Sequence, residues 1–263
     1  MKKILFIGGD RRIRAAADIL GRSGYKIYTY GLFEEDGIPK PDFDFAVLPV
    51  PATTDGINVN CPLTGKQISL NEVKQMCSGK TILSPGTVFN GEKCLNYLNV
   101  PEYKILNAVP TAEGAIAKAI ELSDSTLWGS RILIIGYGKC GRALSERLSG
   151  FKCKLTVSAR SEKDLAELSA LGINSIKTQD AAEKVNDFDI IFNTVDTLIF
   201  NDIEAIEKTL IIDISSNGCL DFKRAQTIGI PAYKLPGIPG KSAPETAGKI
   251  LAQTLSRLIE RGE

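Results

Sequence analysis

The sequence contains no histidine among its 263 residues. This absence excludes the Ser-His-Asp and Cys-His arrangements of nucleophilic catalysis, and it excludes histidine-based metal sites. It also excludes the histidine that acts as acid and base in many hydroxy-acid dehydrogenases. Any proton transfer must therefore use a carboxylate, a lysine, a tyrosine, a cysteine or water.

A large net charge, long apolar runs and paired cysteines are also missing. The formal net charge is +1, which gives no indication of a nucleic-acid or membrane-surface protein. No apolar run approaches the roughly 20 residues of a membrane span, and the apolar N-terminal segment is too short for a signal peptide. The six cysteines show no CxxC or metal-ligand spacing. We therefore expect a cytoplasmic protein with reduced thiols and no metal site.

Residues 131–141 read RILIIGYGKCG, an apolar run that ends on a Gly-x-Gly-x-x-Gly motif and continues as a helical pattern. This order of strand, tight turn and helix is the context that a dinucleotide fingerprint requires. Gly136 would make the turn, Gly138 would let the backbone approach a pyrophosphate, and Gly141 would let the helix pack on the strand. The pyrophosphate would bind free N–H groups at the helix start. Because the motif alone is weak, a glycine-rich turn without a ligand is an alternative.

The next predicted strand bears on the choice between NADP and NAD. About twenty residues after the fingerprint, an NAD enzyme places an Asp or Glu on the ribose 2′-hydroxyl. This chain has Ser158-Ala159-Arg160-Ser161 there instead, and a guanidinium and hydroxyls would bind a 2′-phosphate that a carboxylate would repel. We predict NADP(H), with a solvated residue at a helix start as the alternative for Arg160. The predicted cofactor-binding residues are Gly136, Tyr137, Gly138, Lys139, Cys140, Gly141, Ser158, Arg160, Ser161, Lys163, Asn193, Thr194 and Val195.

Both halves of the chain alternate short apolar segments with helical ones, which is typical of parallel, doubly wound sheets. The length and the 43% of hydrophobic residues suffice for two α/β domains. We predict an N-terminal α/β substrate and catalytic domain over residues 1–125 and a Rossmann NADP-binding domain over residues 126–240. A C-terminal helix within residues 241–263 is expected to pack back on the N-terminal domain. Shorter helices are predicted at residues 181–185 and 203–207.

Loops at the carboxyl ends of predicted strands supply the substrate-binding candidates, since ligands bind at that edge of a parallel sheet. These loops are rich in residues that offer N–H groups and hydroxyls to carboxylates. One is residues 84–87, and another is residues 107–113, after a predicted last strand of the first domain at residues 104–106. The predicted substrate-binding residues are Arg11, Arg12, Thr53, Ser84, Gly86, Asn107, Thr111, Pro236 and Gly237.

Asp10, Glu113 and Lys241 are the candidate catalytic residues. Asp10 and Glu113 come near predicted strand ends and could accept a proton, but a carboxylate at a helix start also serves simply as a cap. Lys241 ends a Gly/Pro loop and could pair a carboxylate or donate a proton, with an ordinary exposed loop lysine as the alternative. Water is the remaining candidate for the proton acceptor.

Several segments together resemble one family. GGDRR, PVPATTDG, NAVPTAEGAI, TLWGSRILIIGYGKCG, SAR, FNTV, IDISS and PGIPGKSAPETAG occur in this order. This combination resembles the A subunits of dipicolinate synthase from spore-forming bacteria, over essentially the whole chain. The sequence departs from the family at residues 214–219, where an Ala-Ser-x-Pro-Gly-Gly type of segment is usual and Cys219 stands in place of a glycine.

The resemblance implies an NADP-dependent oxidoreductase that acts with a flavodoxin-like B subunit in the cytoplasm of the mother cell during sporulation. The pair would convert dihydrodipicolinate to dipicolinate, which is pyridine-2,6-dicarboxylate. Aromatising a dihydropyridine needs only a hydride acceptor and loss of a proton, which suits a chain without histidine. The expected partners are a small dicarboxylate and the B subunit, without nucleic acid or membrane, and self-association is left open.

Two other functions fit the residues. A shikimate-dehydrogenase-like NADP oxidoreductase would share two α/β domains and the same type of cofactor site, although no clear Lys–Asp pair occurs in the first domain. A non-catalytic subunit that binds NADP and thereby regulates a partner is the second alternative.

Overall fold

The computed structural model describes residues 1–38, 42–86, 88–89 and 93–261. Contacts between Cα atoms divide the chain into two compact units. Unit 1 comprises Met1–Asn107 and Pro239–Glu263, and unit 2 comprises Ala108–Ile238. Unit 1 is therefore assembled from two separate stretches of sequence.

Unit 1 is built on a five-stranded sheet in which all neighbouring strands are parallel, in the order β2-β1-β3-β4-β5. This is the strand order of flavodoxin-like doubly wound sheets. Its elements are β1 (Lys3–Ile7), α1 (Arg11–Arg22), β2 (Lys26–Tyr30), β3 (Phe45–Val47), α2 (Leu70–Met76), β4 (Thr81–Ser84), β5 (Cys94–Asn96), the start of α3 (Pro101–Leu122), most of α7 (Ile238–Ser242) and α8 (Pro244–Arg261).

Both faces of this sheet are buried, because successive residues of a strand point to opposite sides. Along β1, Ile4 and Phe6 pack with side chains of α1 and α8, whereas Leu5 and Ile7 pack on the other face. Helix α8 lies so close to α1 that a Cβ at Gly248 would stand 2.5 Å from the Cβ of Ala15. The C-terminal helix is thus part of the core of unit 1.

Unit 2 is built on a six-stranded parallel sheet in the order β11-β10-β9-β6-β7-β8. Numbered within the unit, this is the 3-2-1-4-5-6 order of dinucleotide-binding sheets, which bind ligands where the strand order reverses. That point lies between β6 and β9. Besides the rest of α3, the elements are β6 (Arg131–Ile135), α4 (Lys139–Ser149), β7 (Lys154–Ala159), α5 (Glu162–Ala170), β8 (Asn174–Lys177), β9 (Ile190–Asn193), β10 (Leu210–Asp213), α6 (Phe222–Thr227) and β11 (Ala232–Lys234).

The predicted fold class, α/β with two doubly wound parallel sheets and a Rossmann-type second domain, is confirmed by this topology. Strand β6 is buried on both faces, as a central strand of such a sheet must be. Its residues Ile132 and Ile134 pack on the side of α3 and α4, while Leu133 and Ile135 pack on the side that carries Phe188.

The strand predicted at residues 104–106 is wrong, because these residues lie in α3, and β5 is instead the last strand of unit 1. Pro101 begins the helix, where its missing N–H costs nothing. Ile105 and Leu106 are 57% and 42% exposed, so this apolar pair lies on the helix surface. Pro110 also lies inside α3. Such a residue is usually a helix breaker, which made residues 107–111 look like a loop.

Three further local predictions are wrong. The helices expected at residues 181–185 and 203–207 are replaced by turns and short 3₁₀ segments, Val185–Asp187 and Ile203–Ala205. The loop expected to contain Lys241 includes the short helix α7. Helix α6 was not predicted, although Asp221 caps it by accepting hydrogen bonds from the backbone N–H groups of Lys223 and Arg224.

Candidate cofactor site

The glycine turn after β6 excludes side chains at two of its three positions. Gly136 has φ +96°, and a Cβ there would lie 2.5 Å from Cγ1 of Val195. A Cβ on Gly141 would lie 2.1 Å from the carbonyl oxygen of Gly136. These two glycines let α4 pack directly on the turn, as the fingerprint predicts.

Gly138 differs from these two glycines. Its backbone is extended (φ −77°, ψ −161°), it is the N-cap residue of α4, and no side chain caps the helix there. A Cβ at this position would meet no protein atom within 4 Å. The first turn of α4 also contains no acidic residue. The N–H groups of the first turn and the positive end of the helix dipole therefore face open space. This space suits a pyrophosphate group, and a side chain at residue 138 would occupy it.

A cavity of about 590 Å³ lies beside this turn. It is lined by Gly136, Tyr137, Gly138, Ala159, Arg160, Ser161, Asp164, Thr178, Thr194 and Val195. Seven of these ten residues were predicted to bind the cofactor. The structure thus brings together predicted residues from the ends of three different strands.

Ala159, Asp164 and Thr178 line the cavity without having been predicted. A sequence signal existed for Asp164, because Ser161-x-x-Asp164 is the Ser-x-x-Asp pattern that marks a helix start. Ser161 caps α5 by accepting a hydrogen bond from the Asp164 backbone N–H at 3.1 Å. Nothing comparable marks Thr178, which reaches the cavity because a 3₁₀ turn follows β8.

Ser158 and Asn193 are fully buried and support the cavity from behind instead of lining it. Ser158 Oγ accepts a hydrogen bond from the Gly136 N–H at 3.3 Å and contacts the Thr178 hydroxyl at 3.2 Å. Asn193 Nδ2 donates to the Val195 carbonyl at 3.0 Å and to Asp213 Oδ2 at 2.9 Å.

Asp213 is a buried carboxylate at the end of β10 that orders the loops on this edge of unit 2. Besides Asn193, it accepts hydrogen bonds from the Ser215 N–H and hydroxyl, both at 2.7 Å, and from the Cys219 N–H at 2.8 Å. Burial first, and then the Asp213 charge, raises the pKa of the Cys219 thiol. The carboxylate thus connects the two loops that follow β9 and β10.

Lys139, Cys140 and Lys163 do not line the cavity. Lys139 and Cys140 form the first turn of α4, and burial raises the pKa of the Cys140 thiol. Lys163 is exposed on α5. No disulfide bond joins any of the six cysteines, all of which lie in the part of the chain that the structure describes.

A single guanidinium, that of Arg142, joins α4 to α5 beside the cavity. It lies over the Tyr137 ring, 4.0 Å from the ring centroid. It pairs with the Asp164 carboxylate at 3.0 Å and with both oxygens of Glu167. The Arg142 hydrogen bond lowers the pKa of Glu167 below its usual value. Arg160, in contrast, forms no ion pair with any carboxylate among the described residues.

In unit 1, Asp10 and Arg12 form one interlocked pair. Asp10 is the N-cap of α1, and its Oδ1 accepts a hydrogen bond from the Arg12 N–H at 3.0 Å. The Arg12 side chain is 3% exposed and donates to Asp10 Oδ2 and to the Val50 carbonyl, both at 2.9 Å. A Cβ on Gly240 would stand 2.1 Å from Asp10 Oδ2. Arg12, predicted to bind substrate, is therefore committed to internal contacts, whereas Arg11 is exposed.

The Gly8-Gly9 turn after β1 is filled by the protein itself. The Gly9 N–H donates to the Asn60 carbonyl at 2.9 Å, and a Cβ on Gly8 would lie 2.8 Å from the Val59 side chain. This turn has no open space comparable to that at Gly138.

Other substrate-binding candidates of unit 1 also have internal partners. The Thr53 hydroxyl donates to Asp55 at 3.0 Å and accepts from the Gly56 N–H at 2.9 Å. Ser84 is fully buried and its hydroxyl donates to the Gly86 carbonyl. Thr87 lies outside the described residues.

The remaining candidates lie on or near helices. Asn107, Thr111 and Glu113 are within α3 and not in a strand-end loop. Glu113 forms an ion pair with Arg147 at 3.1 Å. Lys241 is exposed on α7. Pro236 and Gly237 are exposed before α7, and Gly237 has φ +68°.

Neither a metal cluster nor a membrane span occurs among the described residues. No group of three potential metal ligands lies together in this part of the chain. Its helices also include none with the length and apolar character needed to span a membrane.

Two family models match this sequence. Residues 3–91 match the N-terminal domain of the dipicolinate synthase A subunit. Residues 109–197 match the NAD-binding domain of D-isomer specific 2-hydroxyacid dehydrogenases. The second match contains the glycine turn, α4 and α5, so unit 2 carries a dehydrogenase-type dinucleotide-binding domain.

The dipicolinate synthase A subunit of Bacillus subtilis (strain 168) is 32% identical, with 98% of this chain and 95% of that protein covered. The crystal structure of the dipicolinate synthase A subunit from Bacillus halodurans superposes with a TM-score of 0.86 at 27% identity, covering 98% of this chain and 97% of that one. The corresponding Bacillus subtilis structure has a TM-score of 0.84 at 30% identity, covering 99% and 96%. Identity and coverage together show that the chain belongs to the family of dipicolinate synthase A subunits.

Proposed function

We propose that this chain oxidises dihydrodipicolinate to dipicolinate with NADP⁺ as the hydride acceptor, in a synthase completed by a flavodoxin-like B subunit. The proposal depends mainly on the open space in front of α4, where a Cβ at Gly138 would meet no protein atom within 4 Å. A relative that matches 98% of the chain is named for dipicolinate synthesis, which supports this substrate. The family resemblance also supports action in the cytoplasm of the mother cell.

Residues of unit 2 would hold the cofactor. The first N–H groups of α4 would bind the pyrophosphate, because they have no intrahelical partners and lie at the positive end of the helix. Arg160 would bind the 2′-phosphate, since it lines the cavity and forms no ion pair with a described carboxylate. Ser161 and Thr178 line the same cavity, but the Ser161 hydroxyl donates to Asp164 Oδ2, so Arg160 is the residue to which we assign the phosphate.

The bound cofactor would supply a nicotinamide ring that accepts a hydride. The substrate ring loses that hydride and one proton, so dipicolinate, NADPH and H⁺ are the products, and aromaticity favours the reaction. The chain must then orient a dicarboxylate and accept the proton. Arg11 is exposed in the first turn of α1 and is a candidate for binding a substrate carboxylate. Arg12 instead orients Asp10.

Two carboxylates, Asp10 and Glu113, and water are the candidates for the proton acceptor. Asp10 is held in one orientation by hydrogen bonds to both carboxylate oxygens. Glu113 is 61% exposed and reaches Arg147. Lys241 is a candidate for pairing a substrate carboxylate or returning a proton. If neither carboxylate accepts the proton, water does so directly.

The experiment is an absorbance assay for reduced nicotinamide with purified chain, dihydrodipicolinate and NADP⁺, with and without the B subunit. We expect turnover, and at the true base Asp10→Asn or Glu113→Gln should lower kcat about a hundredfold or more. Glu121→Gln is the matched control, because Glu121 is another exposed carboxylate of α3 and pairs only with Lys118 among the described ion pairs. Cofactor binding without turnover under both conditions would contradict the proposal and favour a nucleotide-sensing subunit.

A further inference from the structure

The cavity proposed to hold the adenosine end of NADP contains a carboxylate, that of Asp164, beside Arg160. Each of its oxygens has a donor. Oδ1 accepts from Nη2 of Arg142 at 3.0 Å, and Oδ2 accepts from the Ser161 hydroxyl at 2.7 Å. The carboxylate is therefore held by two donors, one of which is a guanidinium that it shares with Glu167.

A free carboxylate at this wall would favour the wrong cofactor. It would repel the dianionic 2′-phosphate of NADP, and it would accept a hydrogen bond from the 2′-hydroxyl of NAD. It would also attract Arg160, which would then be paired with protein instead of phosphate. A wall that contains Asp164 therefore suits NADP better when another cation is paired with that carboxylate.

Arg142 is placed to be that cation. It follows the last glycine of the fingerprint directly, so α4 carries it to the side of the cavity. Contacts with Tyr137 and Glu167 hold its guanidinium in place. With the Asp164 pair, these contacts place three partners around one planar group, a geometry that lysine cannot reproduce. Arg142 itself is not among the residues that line the cavity.

We infer that Arg142 is a positioning residue for cofactor selectivity: it holds the Asp164 carboxylate and offsets part of its charge, and thereby leaves Arg160 available for the 2′-phosphate. This inference rests on the proposed use of NADP. In this arrangement two arginines together favour NADP over NAD: Arg160 binds the 2′-phosphate, and Arg142 pairs with the carboxylate that would otherwise compete for Arg160.

The test is calorimetric measurement of the dissociation constants of NADP⁺ and NAD⁺ for the full chain and four variants. Arg142→Met removes the charge but keeps a long helix-forming side chain, and Asp164→Asn removes the carboxylate charge. The other two are the double variant and Arg131→Met. Arg131 is a matched control because it forms an arginine–carboxylate pair with Asp189 in the same unit, at the start of β6 and away from the glycine turn.

In Arg142→Met we expect NADP⁺ affinity to fall about tenfold while NAD⁺ affinity is kept or improved, as one uncompensated charge near the phosphate would cause. Adding Asp164→Asn should restore NADP⁺ binding to within about threefold of wild type, and Arg131→Met should change neither constant. General damage to unit 2 would weaken both cofactors and would not be rescued by a second substitution. If Arg142→Met does not fold, Arg142→Gln, which leaves the same uncompensated carboxylate, takes its place.

An unchanged ratio of the two constants in Arg142→Met, or no recovery in the double variant, would overturn the inference while leaving NADP use intact. A wild-type chain that binds neither nucleotide would overturn the proposed function, and the inference with it.

Discussion

Gly138→Ser should separate the stability of unit 2 from its ability to bind a dinucleotide. The new Cβ would meet no protein atom within 4 Å, and the φ of −77° is open to any residue. Serine is also a better N-cap than glycine, since its hydroxyl can accept a hydrogen bond from an N–H of the first turn. The free energy of unfolding should therefore stay the same or rise by a few tenths of a kcal/mol, about a degree in Tm.

Dinucleotide binding should respond in the opposite direction. The serine side chain would occupy the space where the pyrophosphate approaches the backbone, and its hydroxyl would compete for an N–H that the phosphate needs. We expect the affinity for NADP⁺ to fall at least about tenfold, or 1.4 kcal/mol. The assay pairs a thermal unfolding curve with calorimetric titration of the same preparation.

Gly150→Ser is the control, because it adds the same side chain at the other end of α4. Gly150 has helical backbone angles, and a Cβ there makes only an ordinary contact at 3.5 Å. Its effect on stability should be within about 0.5 kcal/mol, with unchanged binding. The reasoning is refuted if Gly138→Ser binds NADP⁺ as tightly as wild type. It is also refuted if the Tm of Gly138→Ser falls as far as that of a variant with a buried clash, such as Gly141→Ala.

Three further results are expected. Gly141→Ala should lower the free energy of unfolding by about 2 kcal/mol or more and abolish NADP⁺ binding as well, because the new Cβ would lie 2.1 Å from the Gly136 carbonyl oxygen. A urea midpoint equal to that of wild type would contradict this. Asp213→Asn should lower the free energy of unfolding in urea by about 3 kcal/mol, because an amide group would face N–H groups whose hydrogen bonds the buried carboxylate now accepts. Near-wild-type stability would show that the loops rearrange freely. Burial, and then a hydrogen bond to Glu72, raises the pKa of Tyr30 to about 12. The neutral phenol therefore contributes stability that is fully present below the unfolded pKa of about 10 and is lost as the pH rises towards about 12. Tyr30→Phe removes this loss, so the free energy of unfolding should differ less between about pH 8 and about pH 11 than it does in wild type.

The class of both sheets, parallel and doubly wound, could be predicted because local signals agreed with the global fold. The apolar runs at β1 and β6 end on glycine turns and lead into helices, which is how parallel doubly wound sheets are built. The errors have local causes. Pro110 interrupts one backbone hydrogen bond of α3 without ending the helix, because a tightly packed face of small residues, Ala108, Ala112 and Ala115 among them, buries that stretch. Tertiary packing there overrides the usual effect of proline.

The candidate cofactor site was more predictable than the substrate site for a geometric reason. Gly136, Gly138 and Arg160 lie within one β-α-β unit, where sequence spacing alone determines which residues meet. Asp164 and Arg142 required knowledge of how α4 and α5 lie side by side. Residues predicted from loop composition, such as Thr53, are instead engaged in the loop's own turns.

The two glycine turns show why function needs more than a motif. Both follow the first strand of a parallel sheet and both lead into a helix, so the sequence around Gly8 and the sequence around Gly138 predict similar local structure. At the first turn the Asn60 carbonyl accepts an N–H that a phosphate would otherwise use, and Val59 fills the remaining space. These residues come from a loop about fifty positions further along the chain. Whether a glycine turn binds a ligand is thus decided by which distant segment folds over it, and only the turn at Gly138 is left open.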